Sequence, residues 1–278
     1  MNKKTQMILW SIILVIVCIL IGGYIYINID RIIKGNVHPE VTFEIQDYGK
    51  IKMELYPEYA PNTVTNFIRL VEKGYYDNKV FYGKDEISLY AGRNSEGQAE
   101  NPKTSLIFDG IDAGNEYDYE YQIPGEFIAN GYEDNTLKHE KGIITLIRND
   151  YTQYVPSLSK ESYNSGNAQL GIIMGADASN LNGSYAAFGK VTEGLDILEN
   201  IYNNSEISVS ESTDNASAEG ATTADAETES IQKFANYPVI TSATVDTKGV
   251  NFGDPTIEEA FDYESYIYNL MSSYYGNQ

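Results

Sequence analysis

Cysteine is all but missing. The 278 residues contain one, Cys18, so the chain can form no internal disulfide and offers no thiolate set to a metal. Histidine is nearly as scarce: His38 and His139 are the only two, and neither an H-E-x-x-H nor a G-x-S-x-G pattern occurs, so the hydrolases built on those patterns lack their residues here. Positive charge is short as well. Against 40 Asp and Glu stand 19 Lys and Arg, a formal net charge of −21, whereas binding to nucleic-acid phosphates draws on clustered cations. No nucleic-acid partner, no metal and no cofactor are expected. Carboxylates alone could still assemble a metal site, but clustered Asp and Glu are the ordinary make-up of a solvated face, and the acidity reads as solubility.

One long hydrophobic run stands against this polar background. Residues 7–27 are almost uninterruptedly apolar, enough at helical rise to cross a hydrocarbon layer of roughly 30 Å. Lys3 and Lys4 precede the run, and Tyr24 and Tyr26 suit the far interface. The sequence therefore predicts a single-pass anchor in the cell membrane, its N-terminus cytoplasmic and everything after Asp30 outside the cytoplasm. A cleaved signal peptide is the rival reading, but the run is long for one and no A-x-A-like site follows. Lipidation of Cys18 would call for small residues ahead of it, where Ile16 and Val17 stand.

Beyond the anchor and a short linker (1–36), an apolar content of 42% allows one sizeable core. Residues 41–46 and 51–56 alternate apolar with polar side chains around the turn Asp47-Tyr48-Gly49-Lys50, which predicts an opening hairpin. Pro61 suits a helix start, Val64, Phe67, Ile68 and Val71 recur at helical spacing, and Gly74 sits where a left-handed cap is wanted. Further strands are expected at 87–91, 142–148, 169–174 and 186–191, with a second short helix on Leu195, Leu198 and Ile201. Tyr117, Tyr119 and Tyr121, at alternate positions, read as a half-buried strand. Many short strands with few helices suggest a closed antiparallel barrel.

From 203 to 232 the chain is Ser-, Thr-, Ala-, Asp- and Glu-rich, which predicts a disordered acidic insertion. Strand character returns at Tyr237-Pro238-Val239-Ile240 and 242–246, the expected closing strand. After Asp254-Pro255, an N-cap and first-turn pair, Ile257, Phe261, Ile267, Tyr268, Met271 and Tyr274 form a helical stripe, so 254–278 is expected to be an amphipathic helix. It would pack on the domain at 37–253 or dock a partner.

Three stretches carry a resemblance: Leu55-Tyr56-Pro57-Glu58-Tyr59-Ala60-Pro61-Asn62-Thr63-Val64-Thr65-Asn66-Phe67; Gly125-Glu126-Phe127 through Asn135-Thr136-Leu137-Lys138-His139 to Gly142; and Leu181-Asn182-Gly183-Ser184-Tyr185-Ala186-Ala187-Phe188-Gly189-Lys190-Val191. In order and spacing they resemble the bacterial cyclophilin-type peptidyl-prolyl isomerases. The resemblance implies a mainly β fold, a closed eight-stranded antiparallel barrel with two covering helices. It also implies a rotamase that binds proline-containing segments, with an arginine donating toward the prolyl nitrogen.

The site is where the likeness fails. In the family the arginine lies in a Phe-His-Arg run, which here is Phe81-Tyr82-Gly83, and the glutamine-bearing stretch that follows is Ser88-Leu89-Tyr90-Ala91-Gly92-Arg93-Asn94, with Arg93 expected past the end of the 87–91 strand. Gly83 has no side chain to donate. The likeness places Leu89 at the family's methionine, Ala91 at its glutamine, and Ile147, Arg148 and Asn149 along the groove edge. Gln169, Leu170 and Gly171 fall on its Gln-Phe-Phe, Leu181 on the second wall, Asn180 and Tyr185 at aromatic or histidine positions. Leu89, Ala91, Ile147, Asn149, Gln169, Leu170, Leu181 and Tyr185 are thus the expected groove, with Arg148, ahead of Arg93, as the replacement donor. Two activities follow: a weak isomerase for exported or unfolded proteins outside the cytoplasmic membrane, or a non-catalytic peptide-binding or chaperone module on the same barrel.

Overall fold

The structure, a computed structural model, describes residues 3–153, 155–208 and 231–275; within its first helix the side chains at 4, 5, 8, 9 and 24–33 are also outside the described set. That helix, α1 (Lys3–Gly35), is followed by β1 (Glu40–Ile45) and β2 (Gly49–Leu55), which pair antiparallel as expected. Val41, Phe43 and Ile45 alternate inward with Ile51, Met53 and Leu55, and Asp47 turns the chain at φ 64°.

Helix α2 (Pro61–Glu72) buries Val64, Phe67, Ile68, Leu70 and Val71. Gly74, at φ 71°, lets the Gly74 and Tyr75 amides donate back to the Val71 and Leu70 carbonyls at 3.0 and 2.9 Å, a Schellman cap. At its other end the N-cap is Ala60, which has no side-chain acceptor. Glu126 substitutes from a distant loop, accepting from the Asn62 and Thr63 amides at 2.9 and 2.7 Å. The Phe67 ring stands edge-on to Phe43, Tyr76 and Phe188, 5.2–6.2 Å away, at the centre of the core.

The chain continues through β3 (Val80–Lys84), β4 (Ser88–Arg93), α3 (Thr104–Ile107), β5 (Tyr121–Gln122), β6 (Ile143–Leu146), α4 (Ser159–Tyr163), β7 (Leu170–Ile173), β8 (Ala186–Glu193) and α5 (Leu195–Asn204). After 208 the described chain resumes at β9 (Gln232–Lys233), β10 (Ile240–Asp246), β11 (Glu258–Glu259) and α6 (Tyr263–Tyr275). One curled antiparallel sheet runs β10-β1-β2-β8-β6-β7-β4-β3-β9. It curls until β3 approaches the start of β10: Val80 bridges Val239, with Phe81 N donating to Pro238 O at 2.9 Å and Ile240 N to Lys79 O at 2.8 Å. Helices α2 and α5 bury their apolar stripes against it.

Four expectations change. The sheet has nine strands, not eight, because β9 adds to β3. The disordered insertion expected over 203–232 lies, at 209–230, outside the described residues, while its flanks are paired: Ile207 bridges Phe234, and Ser208 N donates to Lys233 O at 2.8 Å. The tail does not become helical at Asp254. Asp254 is held by Arg69 at 2.8 Å, β11 pairs with β5, and the helix starts only where Asp262 accepts from Ser265 N at 2.9 Å. Of the three alternating tyrosines only Tyr121 is in a strand and buried; Tyr117 is exposed.

Among the described residues no helix is long and apolar enough to cross a membrane. The span expected over 7–27 is thus not reproduced among them, although the side chains that are described, from Trp10 to Leu20, are exposed and mostly apolar.

Candidate peptide groove

Strand register decides which side chains can reach a ligand. Gly83 pairs with Tyr90, Tyr90 with Gly171, and Gly171 with Thr145, a row across β3, β4, β7 and β6. Directly opposed residues share a face. The next row, Leu89, Ile172 and Ile144, and the one beyond Tyr90, Ala91, Leu170 and Leu146, lie on the other face and belong to the core. Leu89, Ala91 and Leu170 are therefore fully buried in the core and do not line the groove expected of them. Alternation is the physical reason: a one-residue offset in assigning a strand moves every side chain to the opposite face.

The outer row opens into a cavity of about 240 Å³, lined by Ser88, Tyr90, Thr145, Ile147, Leu181 and Tyr185 together with Asp85, Arg148 and Ile231. Asp85 builds this side: its Oδ1 accepts from the Ile87 and Ser88 amides at 2.8 and 2.6 Å, closing the β3–β4 turn, while its Oδ2 accepts from the Tyr90 hydroxyl at 2.7 Å. Burial, and then the nearby Asp85 charge, push the Tyr90 phenol well above its ordinary pKa, so it stays a neutral donor. Where the resemblance implies an aromatic at Gly171, Ile147 fills the space: a Cβ at Gly171 would lie 2.9 Å from Ile147 Cδ1.

Behind Thr145 sits His139. Its Nε2 is 3.1 Å from Thr145 Oγ1 and its Nδ1 3.2 Å from Asn182 Oδ1. Burial lowers its pKa, so the ring is neutral and positions Thr145 rather than carrying charge.

Gly83 faces this cavity from β3, and its place is taken. A Cβ there would lie 2.6 Å from Gln232 O and 2.9 Å from Ile231 Cγ2, because β9 runs directly alongside. The absence of a side chain at this position is thus required by a close backbone approach, a role glycine alone fills without displacement.

Two guanidinium groups lie nearby. Arg148 Nε donates to Ser184 O at 3.2 Å and Nη1 to Asn149 O at 3.3 Å, with Cζ 4.6 Å from the Tyr185 ring centre and 5.2 Å from that of Tyr163. Arg93 is the last residue of β4, paired with Val80, rather than beyond the strand as expected. It is buried, lies 4.1 Å over the Tyr82 ring, and donates from Nε to Gln169 Oε1 at 3.1 Å.

Ile147 and Arg148 separate the first cavity from a second of about 360 Å³, which holds Gln169, Asn149 and Arg93 on the barrel side. Its far wall is the tail: Phe261 and Tyr263 pack on Tyr151, the last pair stacked at 4.9 Å. The expected groove residues Gln169 and Asn149 are thus brought to Arg148, but in this neighbouring cavity, apart from Leu181 and Tyr185. The sequence reading passed over Tyr90, Thr145, Asp85 and Ile231. Alternation from Gly83 would have indicated Tyr90; nothing local marked Ile231. Among the described residues no cluster of His, Cys, Asp and Glu could hold a metal.

A family model described as cyclophilin type peptidyl-prolyl cis-trans isomerase/CLD matches residues 40–225. Peptidyl-prolyl cis-trans isomerase B of Bacillus subtilis is 30% identical over 161 residues, 58% of this chain and 89% of that protein. Peptidyl-prolyl cis-trans isomerase CYP23 of Arabidopsis thaliana is 27% identical over 160 residues, 55% of this chain and 56% of its own. A solved cyclophilin type isomerase of Cryptosporidium parvum overlays with a TM-score of 0.50 at 18% identity, covering 75% of this chain and 98% of its own, a likeness of fold. With two thirds of the sequence inside the family model and one curled antiparallel sheet carrying a groove on its outer face, the chain belongs to the cyclophilin-type peptidyl-prolyl cis-trans isomerases.

Proposed function

We propose that the protein is a weak prolyl isomerase for proline-containing segments of exported or unfolded proteins, held at the outer surface of the cytoplasmic membrane by α1. The observation that carries the reading is the outer-face cavity lined by Tyr90, Thr145, Leu181 and Tyr185 together with Arg148. Rotation about a prolyl bond crosses a barrier of about 18–20 kcal/mol because amide resonance is lost in the twisted state. A groove lowers it by holding the twisted bond better than the planar one and by aiming donors at it. Here the ring would enter the apolar part of the cavity, and Arg148 would supply the N–H. With β3 contributing none, turnover is expected to fall by the roughly 10²–10³-fold that loss of one preorganised donor brings in other enzymes.

The exported setting rests on Lys3 and Lys4 before the exposed apolar side chains of α1, from Trp10 to Leu20. A second reading, a peptide-binding module without turnover, is favoured by the sealed Gly83 position. Exchange spectroscopy on a proline-containing peptide with the full chain in detergent separates the two. Turnover above background that Arg148→Ala removes supports the isomerase; binding without exchange supports the module. For the setting, protease added outside intact cells should digest the domain from 37 onward, and protection would overturn the topology.

A further inference from the structure

We infer that Ile231 is a specificity-determining residue: it forms the pocket wall at the place where the family's arginine would stand, and it sets the size of ring the cavity accepts. The inference rests on the peptide-groove reading above.

Ile231 is held there by the chain that follows it. β9 pairs with β3 through Gly83 with Lys233 and Lys84 with Gln232, and Phe234 N donates to Tyr82 O at 3.1 Å. The Phe234 side chain is buried in the core, and a ribbon with 206–208 braces the other edge, where Ala235 N donates to Glu206 O at 2.8 Å. Helix α5 fixes the facing turn: the Tyr202 hydroxyl donates to Asp85 O at 2.7 Å, and Lys84 Nζ donates to Tyr202 O. Ile231 therefore stands at a defined place, its Cγ2 2.9 Å from where a Gly83 Cβ would be, and lines the cavity together with Leu181 and Tyr185.

A branched apolar wall does different work from a guanidinium. It offers no donor, and its methyl groups bound a cavity of about 240 Å³, below the roughly 300–1,000 Å³ of ordinary ligand pockets. In such a pocket one methylene more or less changes discrimination by roughly 10–200-fold. The ligand class is a peptide with a small saturated ring in its backbone, and the rejected class is the same peptide with a larger ring.

The test uses three peptides identical except for one central residue: azetidine-2-carboxylic acid, proline or pipecolic acid, rings of four, five and six members. Dissociation constants are measured by NMR titration of the full chain in detergent. The wild type should prefer proline over pipecolic acid by about 10-fold or more, Ile231→Ala should abolish that preference, and Ile231→Val, which barely perturbs the fold, should reduce it part-way. An unchanged ratio in both variants, with Leu181→Ala in the same lining altering it, overturns the role of Ile231 and leaves the groove standing. Failure of the wild type to bind any of the three overturns the groove, and the role of Ile231 with it.

Discussion

Gly83→Arg introduces the group that the resemblance to the family would place there, and the geometry predicts that it makes the protein worse. Already at Cβ the new side chain meets Gln232 O at 2.6 Å and Ile231 Cγ2 at 2.9 Å. Real Cβ contacts do not come this close, and the nearer atom is a backbone carbonyl, which has no rotamer to turn away. Either β3 and β9 separate or β9 leaves. Overpacking of this kind costs about 1–3 kcal/mol. The upper end is capped by release of β9, since detaching a two-residue strand and the Phe234 amide from Tyr82 forfeits only a few hydrogen bonds, each worth about 1 kcal/mol net.

For a domain of this size the melting temperature should fall by roughly 2–12 °C, at about 2–4 °C per kcal/mol. Differential scanning calorimetry reads it, and Gly83→Ala, which carries the same Cβ clash without charge, should show most of the drop. Amide exchange at Lys233 and Phe234 should speed up in both variants, because those protons sit on the displaced strand. Prolyl exchange should not rise above the wild type. A Gly83→Arg variant that melts at or above the wild-type temperature and turns over peptide faster would sink the reasoning: the glycine would then be a lost donor and not a fitted gap.

Glu126→Ala should lower stability by about 2 kcal/mol, since it removes the acceptor that caps α2 at Asn62 and Thr63; a change under about 0.5 kcal/mol in urea unfolding would show that the loop carboxylate caps nothing. His139 binds a proton less readily when folded than its ordinary 6.5, because burial disfavours the charged ring. Its contribution is therefore complete above pH 6.5 and is lost as pH falls from there through the lowered value. His139→Gln should flatten that part of the stability profile, and an unaltered slope would show that another group causes it. Phe261→Ala should loosen the tail wall, costing about 0.5–1.5 kcal/mol from its ring contact with Tyr151 alone. If melting is unchanged, the tail is not packed on the barrel as described.

Much of the fold was legible because it is written locally. The β1–β2 hairpin, α2 with its Gly74 cap, β6, β7, β8 and α5 all follow from apolar spacing bounded by turn residues, and the structure has them within a residue or two. The tail was misjudged by the same local logic. Asp254-Pro255 is a sound helix start in isolation, but Arg69 takes the Asp254 carboxylate and β5 offers an open edge, so the chain runs extended to Asp262 before a helix can begin. That competition depends on residues 69 and 121–122, far away in sequence. The site shows the same division more sharply. The resemblance placed Ile147, Arg148, Leu181 and Tyr185 near one another, and they line one cavity, whereas Leu89, Ala91 and Leu170 lie on the opposite, core face.

The setting of Gly83 bears on what the absence of an arginine there means. Counting along a motif keeps residue order but not strand parity: Phe81 pairs with Ala91, yet Gly83 pairs with Tyr90 where regular pairing would give it Leu89, because of a bulge at Tyr82 that no periodicity announces. Once the bulge is in place, Tyr90 occupies the groove and the residue opposite it must share that face. What stands over that residue is then decided by the other strand neighbouring β3, and here that neighbour is β9, entering from the end of an insertion more than 140 positions downstream in the sequence. An arginine at 83 and a strand at 232–233 are mutually exclusive. The glycine and the strand are therefore one feature, and the functional consequence of losing the arginine has to be sought in what replaced it: an apolar wall where the family has a donor.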